Sequence, residues 1–142
     1  MENTTIKFCP ECNGLLVNDL SCFEQLGQII AWESQDPELF AVHFLTVASF
    51  NLQHPSQFET GVIEDLKITF LEYLDKKTTT QNIRKKFAVL YGGNTKVLKP
   101  KLDRIIKPRE WDMTISNVYI PNKPQGAAKR IQSWAESIRK KW

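Results

Sequence analysis

The chain has 142 residues, 42% hydrophobic and 25% charged, a size and composition suited to a globular protein with one substantial core. No basic and apolar leader opens the sequence, and no apolar run approaches the roughly 18 residues of a membrane span, so we expect a cytoplasmic protein without membrane contact. The formal charge of +3 is the sum of two unlike halves. Residues 1–60 carry one basic and eight acidic residues, whereas residues 61–142 carry 18 basic and eight acidic residues.

The first 20 residues contain a Cys-Pro-Glu-Cys-Asn-Gly run, in which Cys9 and Cys12 are separated by two residues. Cys22 is the third and last cysteine of the chain. An odd number of thiols in a reducing compartment argues against a disulfide framework and favours metal binding or redox chemistry. No βαβ pattern surrounds the pair, so redox chemistry is the weaker interpretation, and residues 1–20 are predicted to form a metal-binding loop.

Residues 21–54 carry the signals of a helical hairpin. Ser21 and Glu24 form a capping-box pattern that opens a helix over about residues 22–34. The pair Asp36-Pro37 starts a second helix, which should end near His54 because a proline follows. The side chains predicted to face inward from the first helix are Leu26, Ile29, Ile30 and Phe23.

The rest of the chain also shows helical periodicity. Residues 61–93 predict two helices, the second opening near Thr80 and stopping at Gly92-Gly93. Residues 94–124 are a basic, irregular region with a short helix after Asp112 or Thr114, and residues 125–142 form an amphipathic helix. We therefore predict a single all-α domain, residues 1–142, with five or six helices and an N-terminal loop like a zinc knuckle.

A tetrahedral metal site needs a fourth ligand besides the three thiols. The capping box puts Cys22 at the first position of its helix, where the helix dipole is expected to lower the pKa of a thiol. Because a helix rises about 1.5 Å per residue, the returning helix comes level with Cys22 near His54, whereas His43 falls about 10 Å short. This geometry favours Cys9, Cys12, Cys22 and His54 as ligands of a structural Zn²⁺ ion, with His43 as the alternative fourth ligand.

His43 lies on the same helical stripe as His54 and has two interpretations. It is either a hydrogen-bonded histidine at the edge of the core or a group lining a pocket beside the metal. In the second case an open coordination position would permit hydrolytic chemistry, so a zinc-dependent hydrolase is one alternative function. No nucleophile pattern accompanies either histidine, and we predict no catalytic residue.

The basic half offers another alternative. Nine basic residues and one acid lie between Arg84 and Arg109, and five more bases decorate the last helix. Clustered lysine and arginine suit nucleic-acid phosphates, but no reading-helix motif is present, so a solvated basic surface is the preferred interpretation.

Several runs together resemble a widespread bacterial family of small proteins known only as a domain of unknown function. They are Cys-Pro-Glu-Cys, Ser-Cys-Phe, Asp-Pro-Glu-Leu-Phe-Ala-Val-His at residues 36–43, Gln-His-Pro at residues 53–55 and Ser-Trp-Ala-Glu-Ser-Ile near the C-terminus. The resemblance implies a common fold and a common site. It singles out the three cysteines, His43, the Gln53-His54-Pro55 turn and Trp134. We predict a pocket that involves His43, Gln53 and Trp134. Ala48 and Phe50 depart from the acidic residue and tyrosine often found in that family, which weakens acid–base chemistry on this face.

Together these observations predict a small cytoplasmic zinc-binding protein that serves as a binding or interaction module. Its partner is expected to be a protein or a small molecule, with nucleic acid a weaker alternative.

Overall fold

The computed structural model describes residues 8–58, 60–91 and 110–141. Within these residues the chain forms seven α-helices and no strand, which confirms the all-α prediction. Gly92, Gly93, the basic stretch 94–109 and Trp142 lie outside the described residues. The helices are α1 (Cys22–Trp32), α2 (Pro37–Ala41), α3 (His43–Gln53), α4 (Thr60–Leu74), α5 (Thr80–Tyr91), α6 (Ile115–Val118) and α7 (Ala127–Arg139).

Two compact units divide the chain, Met1–Gln53 with Lys107–Trp142, and His54–Ile106. In the first unit α7 packs against α3 and α6, and α1 packs against α3 and α6. The apolar stripe predicted for the last helix faces this core. The largest fully buried apolar side chains of the unit are Trp134, Ile29, Leu39, Ile115, Ile131, Ile138 and Val118.

The second unit contains α4 and α5. Phe70 on α4 and Ile83 on α5 are buried. Lys86 of α5 donates from Nζ to Thr69 Oγ1 at 2.8 Å and lies 3.9 Å from Glu72 Oε1. Lys86 therefore links the two helices through polar contacts. The assignment of residues 1–142 to one domain, with the segments predicted above, stays a prediction.

The helical hairpin begins as its sequence indicates. Ser21 Oγ accepts from the Glu24 backbone N–H at 3.1 Å, and Glu24 Oε1 accepts from the Ser21 N–H at 2.9 Å, which confirms the capping box. Asp36 Oδ1 accepts from the Leu39 N–H at 3.2 Å to cap α2. The second helix is not continuous, because Val42 leaves helical geometry with φ −104° and ψ 21°.

The two arms of the hairpin run antiparallel. Glu33 at the end of α1 contacts His43 at the start of α3, and the Phe23 and Phe50 rings at the opposite ends lie 6.5 Å apart between centroids. Ile29 of α1 is buried, but Phe23 is 70% exposed and Ile30 is 36% exposed, so the prediction that these two face inward is wrong. The reason is that α3 and α6 cover one side of α1 and leave the other side open.

Within the described residues, no helix is both long and apolar enough to cross a membrane.

Candidate metal centre

A tight loop over residues 8–15 presents the first two cysteines. Its ends pair as an antiparallel bridge, and the Cys9 N–H donates to the Gly14 carbonyl at 2.7 Å. The Asn13 N–H donates to the Cys9 carbonyl at 2.8 Å, and Asn13 takes φ 62°, a left-handed conformation that asparagine tolerates. The Gly14 N–H points to Cys12 Sγ at 3.3 Å, so the loop supplies both a sulfur and a donor that stabilises its negative charge.

A second turn, residues 17–20, returns the chain toward this loop. Asn18 and Asp19 have φ of 53° and 62°, the pair of positive values typical of a type I′ turn, and a 2.9 Å hydrogen bond closes it. Gln25 on α1 donates from Nε2 to the last carbonyl of the turn at 3.0 Å. This buried glutamine, which the sequence analysis missed, holds the turn against the helix that begins with Cys22.

The predicted ligands meet at one point. One ligand atom from each of Cys9, Cys12, Cys22 and His54 lies within 4.8 Å of all the others. Cys12 Sγ and Cys22 Sγ are 3.6 Å apart, far longer than the ~2.05 Å of a disulfide. Zn–S bonds of about 2.3 Å in a tetrahedron place two sulfurs ~3.8 Å apart, so the spacing fits a shared ion. Cys12, Cys22 and His54 are buried and Cys9 is partly exposed.

His54 follows the last residue of α3, and a buried hydrogen-bond chain holds that end of the helix. Gln53 donates from Nε2 to the Met113 carbonyl at 2.8 Å, and its Oε1 accepts from Trp134 Nε1 at 3.1 Å. Gln53 and Trp134 are both almost completely buried. They therefore position the residue before the histidine ligand.

Gly14 is required by close packing rather than by its φ angle. A Cβ at this position would lie 2.6 Å from Thr114 Oγ1, 2.9 Å from Thr114 Cβ and 3.1 Å from Cys12 Sγ. The positive φ in the loop belongs to Asn13 and not to Gly14. No sequence signal could have identified Thr114, because it lies 100 residues away.

The Cys22 thiol favours its protonated form when its partners are the other two thiols. Hydrogen bonds with the thiols of Cys12 and then Cys9, together with burial, raise the pKa of Cys22 well above its ordinary value. The expected lowering by the helix dipole is therefore outweighed. A divalent cation held by Cys9, Cys12, Cys22 and His54 would supply the positive charge that favours thiolates instead.

The residues predicted to share a pocket lie in two places. Gln53, the residue before His54, is hydrogen-bonded to Trp134 in the core. His43 lies at the other end of α3, where its Nδ1 is 2.8 and 2.9 Å from the two carboxylate oxygens of buried Glu33. A pocket formed by all three side chains stays a prediction, and His43 is not a member of the four-residue cluster.

Comparison with known proteins agrees with the resemblance noted in the sequence. The model of a family of unknown function, DUF5946, matches residues 7–142. No curated protein and no solved structure matched the chain. Because the match spans nearly the whole sequence, the chain belongs to this family of unknown function.

Proposed function

We propose that the chain is a small zinc-binding protein in which a structural Zn²⁺ ion stabilises a binding or interaction module. The convergence of Cys9, Cys12, Cys22 and His54 within 4.8 Å carries this proposal. Three thiolates and one imidazole make a closed tetrahedral set, the arrangement of structural zinc sites. Soft sulfur ligands also favour Zn²⁺ over Mg²⁺, Ca²⁺ or Mn²⁺.

Burial supports a structural role. Three of the four ligand residues are buried, and a set of four protein donors leaves no coordination position for water or substrate. His43 is eleven residues from His54, or about 16 Å along a helix, and it is engaged by Glu33. These observations favour the structural ion over the zinc-dependent hydrolase that would use His43.

The test is the metal content and coordination of the reduced, purified chain. We expect one zinc per chain, and X-ray absorption should show three sulfurs at about 2.3 Å and one nitrogen at about 2.0–2.1 Å without a water ligand. Co²⁺ substitution should give the absorption of a tetrahedral thiolate site. A bound water or a missing sulfur would support the hydrolase instead, and a well-folded chain without metal would refute the zinc site.

The two histidines provide a matched pair of variants. His54→Ala removes one ligand of the cluster and should lower zinc affinity by at least tenfold. His43→Ala removes the other histidine of the chain and should leave one zinc per chain. The opposite pattern would assign the fourth ligand to His43.

We also propose a cytoplasmic location, because thiolates that ligate zinc persist best in a reducing compartment. Nucleic-acid binding by the basic half is the less supported alternative. A titration of generic duplex and single-stranded DNA across a salt series tests it, since phosphate binding must weaken as salt rises.

A further inference from the structure

One side of α1 is apolar and uncovered. Phe23 and Ile30 are 70% and 36% exposed, and Gly27 lies between them at helical spacing. A Cβ on Gly27 would meet nothing within 4 Å, so the helix surface there is open. Two large side chains flank a shallow hollow about 10 Å long, given the rise of a helix.

This surface continues onto α2 and α3. Phe40 is 62% exposed, and its ring centroid lies 6.4 Å from that of His43. His43 is joined to α1 through Glu33, the residue that follows the helix and lies three positions beyond Ile30. We call this surface the α1–α3 face and define it by five residues: Phe23, Gly27, Ile30, Phe40 and His43.

Hydrogen-bond acceptors lie at the α1–α3 face. When the His43 ring is neutral and donates Nδ1–H to Glu33, its Nε2 is left as an acceptor, and the side chain is 44% exposed. Three acidic residues, which we call the acidic border, lie on the same elements: Glu24 in the first turn of α1, Asp36 at the N-cap of α2 and Glu38 in the first turn of α2. Residues 8–66 contain no lysine and no arginine. The segment that forms the α1–α3 face therefore carries acidic groups and no lysine or arginine of its own.

We propose that the α1–α3 face docks an amphipathic helix of a partner protein, with lysine or arginine residues flanking an apolar stripe. The stripe fits the hollow over Gly27, between Phe23 and Ile30. The partner's cations then meet the acidic border, the acceptor on His43 and the face of the Phe40 ring. This names the partner class of the proposed interaction module and rests on that function, because the zinc site holds the start of α1.

Charge decides between this partner and a second copy of the face. Two α1–α3 faces in contact would bring their acidic borders together without an intervening lysine or arginine from residues 8–66. Like charges across an interface disfavour association. A basic helix supplies both the missing charge and the apolar contact.

The experiment measures binding of labelled model peptides to the zinc-loaded full chain by fluorescence anisotropy. The probe is a 15-residue amphipathic helix of leucine and lysine. Its controls are a leucine and glutamate helix with the same pattern, and a lysine and serine peptide with the same charge but no apolar stripe. We expect the leucine and lysine helix to bind at least tenfold more tightly than either control.

Two variants of Gly27 locate the site. Gly27→Arg places a bulky cation in the hollow and should weaken binding of the leucine and lysine helix at least tenfold. Gly27→Ala adds only a methyl group in open space and should bind as the parent does. Val89→Ser, at an 83% exposed apolar residue of α5, should also leave binding unchanged.

The proposal is overturned by equal binding of the glutamate peptide, by unchanged binding in Gly27→Arg, or by a dimer of the parent chain that Gly27→Arg dissociates. Zinc content is measured on every sample. Failure to bind the peptide with one zinc per chain refutes the docking face alone. A folded chain without zinc refutes the proposed function alone, because peptide binding is read on the same folded chain.

Discussion

The two ends of the α1 and α3 pair each carry one of the chain's histidines, in different surroundings. At one end His54 is 6% exposed and lies among three thiols. At the other end the His43 side chain is 44% exposed and contacts one buried carboxylate. Helix rise already separates the two histidines, because it brings only His54 level with Cys22. Their neighbours separate them further, since His54 belongs to the four-residue cluster of cysteines and histidine and His43 contacts a buried carboxylate.

The difference also concerns what holds each end together. At the cysteine end, Gln25 holds the turn of residues 17–20, Gln53 holds the end of α3, and the four-residue cluster joins the two. At the other end, the contact between Glu33 and His43 links α1 directly to α3, beside apolar side chains that are exposed. Removing a single interaction should therefore affect the two ends unequally.

Metal removal should give the largest effect and should act on the cysteine end. Structural zinc ions contribute folding free energy directly, and a loss of a few kcal/mol lowers Tm by about 10 °C in a chain of this size. The measurement compares thermal unfolding of the reduced protein with and without a chelator. Added Zn²⁺ should restore the original Tm, whereas an unchanged Tm after verified metal removal would contradict a stabilising ion.

Gln53→Leu should be the next most damaging change. It leaves Trp134 Nε1 and the Met113 carbonyl without their buried partner, at a loss of about 2–4 kcal/mol in the free energy of unfolding. Urea unfolding measures this loss. Gln132→Leu, at an exposed position of α7, is the matched control and should change stability little. Equal effects of the two variants would show that the buried chain of hydrogen bonds is unimportant.

Gly14→Ala tests the packing of the cysteine loop. The added Cβ collides with Thr114, so the loop must shift, which should lower the unfolding free energy by about 1–3 kcal/mol and weaken zinc binding. Gly61→Ala provides the control, because a Cβ on α4 at that position meets nothing within 4 Å and should stabilise the helix by about 0.5–1 kcal/mol. Combining Gly14→Ala with Thr114→Gly should recover part of the loss, and no recovery would exclude the collision as its cause.

His43→Ala sharpens the comparison from the opposite end. It leaves the buried carboxylate of Glu33 without its imidazole partner, so we expect a loss of about 1–2 kcal/mol with zinc content unchanged. His43→Gln retains an N–H donor and should lose less. Chemical unfolding and metal analysis on the same samples measure both effects. Loss of zinc in His43→Ala would mean that the two ends are not independent.

Ser21→Ala should have the smallest effect, about 1 kcal/mol, because it removes one helix cap. Hydrogen bonds from the backbone N–H and then the hydroxyl of Ser21 lower the pKa of Glu24. A lowered pKa stabilises the fold above the unfolded value of about 4.3, and this contribution is lost as pH falls through the folded pKa. Titration by NMR should show the Glu24 pKa move back toward its ordinary value in Ser21→Ala, and an unmoved pKa would assign the shift to the backbone alone.

Local chemistry made much of the fold predictable. Ser21 with Glu24, and Asp36 with Pro37, mark helix starts. The Ser21 and Asp36 side chains accept hydrogen bonds from the backbone N–H three residues later, and the proline ring fixes a helical φ at the first position. His54 was identified from helix rise alone, since a hairpin returns its second arm to the level of the first. The interruption at Val42 was missed, as no proline or glycine marks it.

The rest of the site depends on residues distant in sequence. Trp134 reaches Gln53 from 81 residues away, and Thr114 packs against Gly14 from a separate part of the chain. Periodicity indicates that a helix has an apolar side but not which of its apolar residues a neighbour covers. For this reason the exposure of Phe23 and Ile30 could not be predicted.

The sequence by itself determined where α1 and α2 begin, the spacing of the three thiols and the level at which His54 returns to them. These features follow from short-range hydrogen bonding and from the constant rise of a helix. Tertiary structure alone decided that Glu33 contacts His43 and that one side of α1 is exposed. It also decided that Gln53 accepts a hydrogen bond from Trp134. Each of these depends on which helices pack together, and that choice is made by the whole core rather than by any one segment.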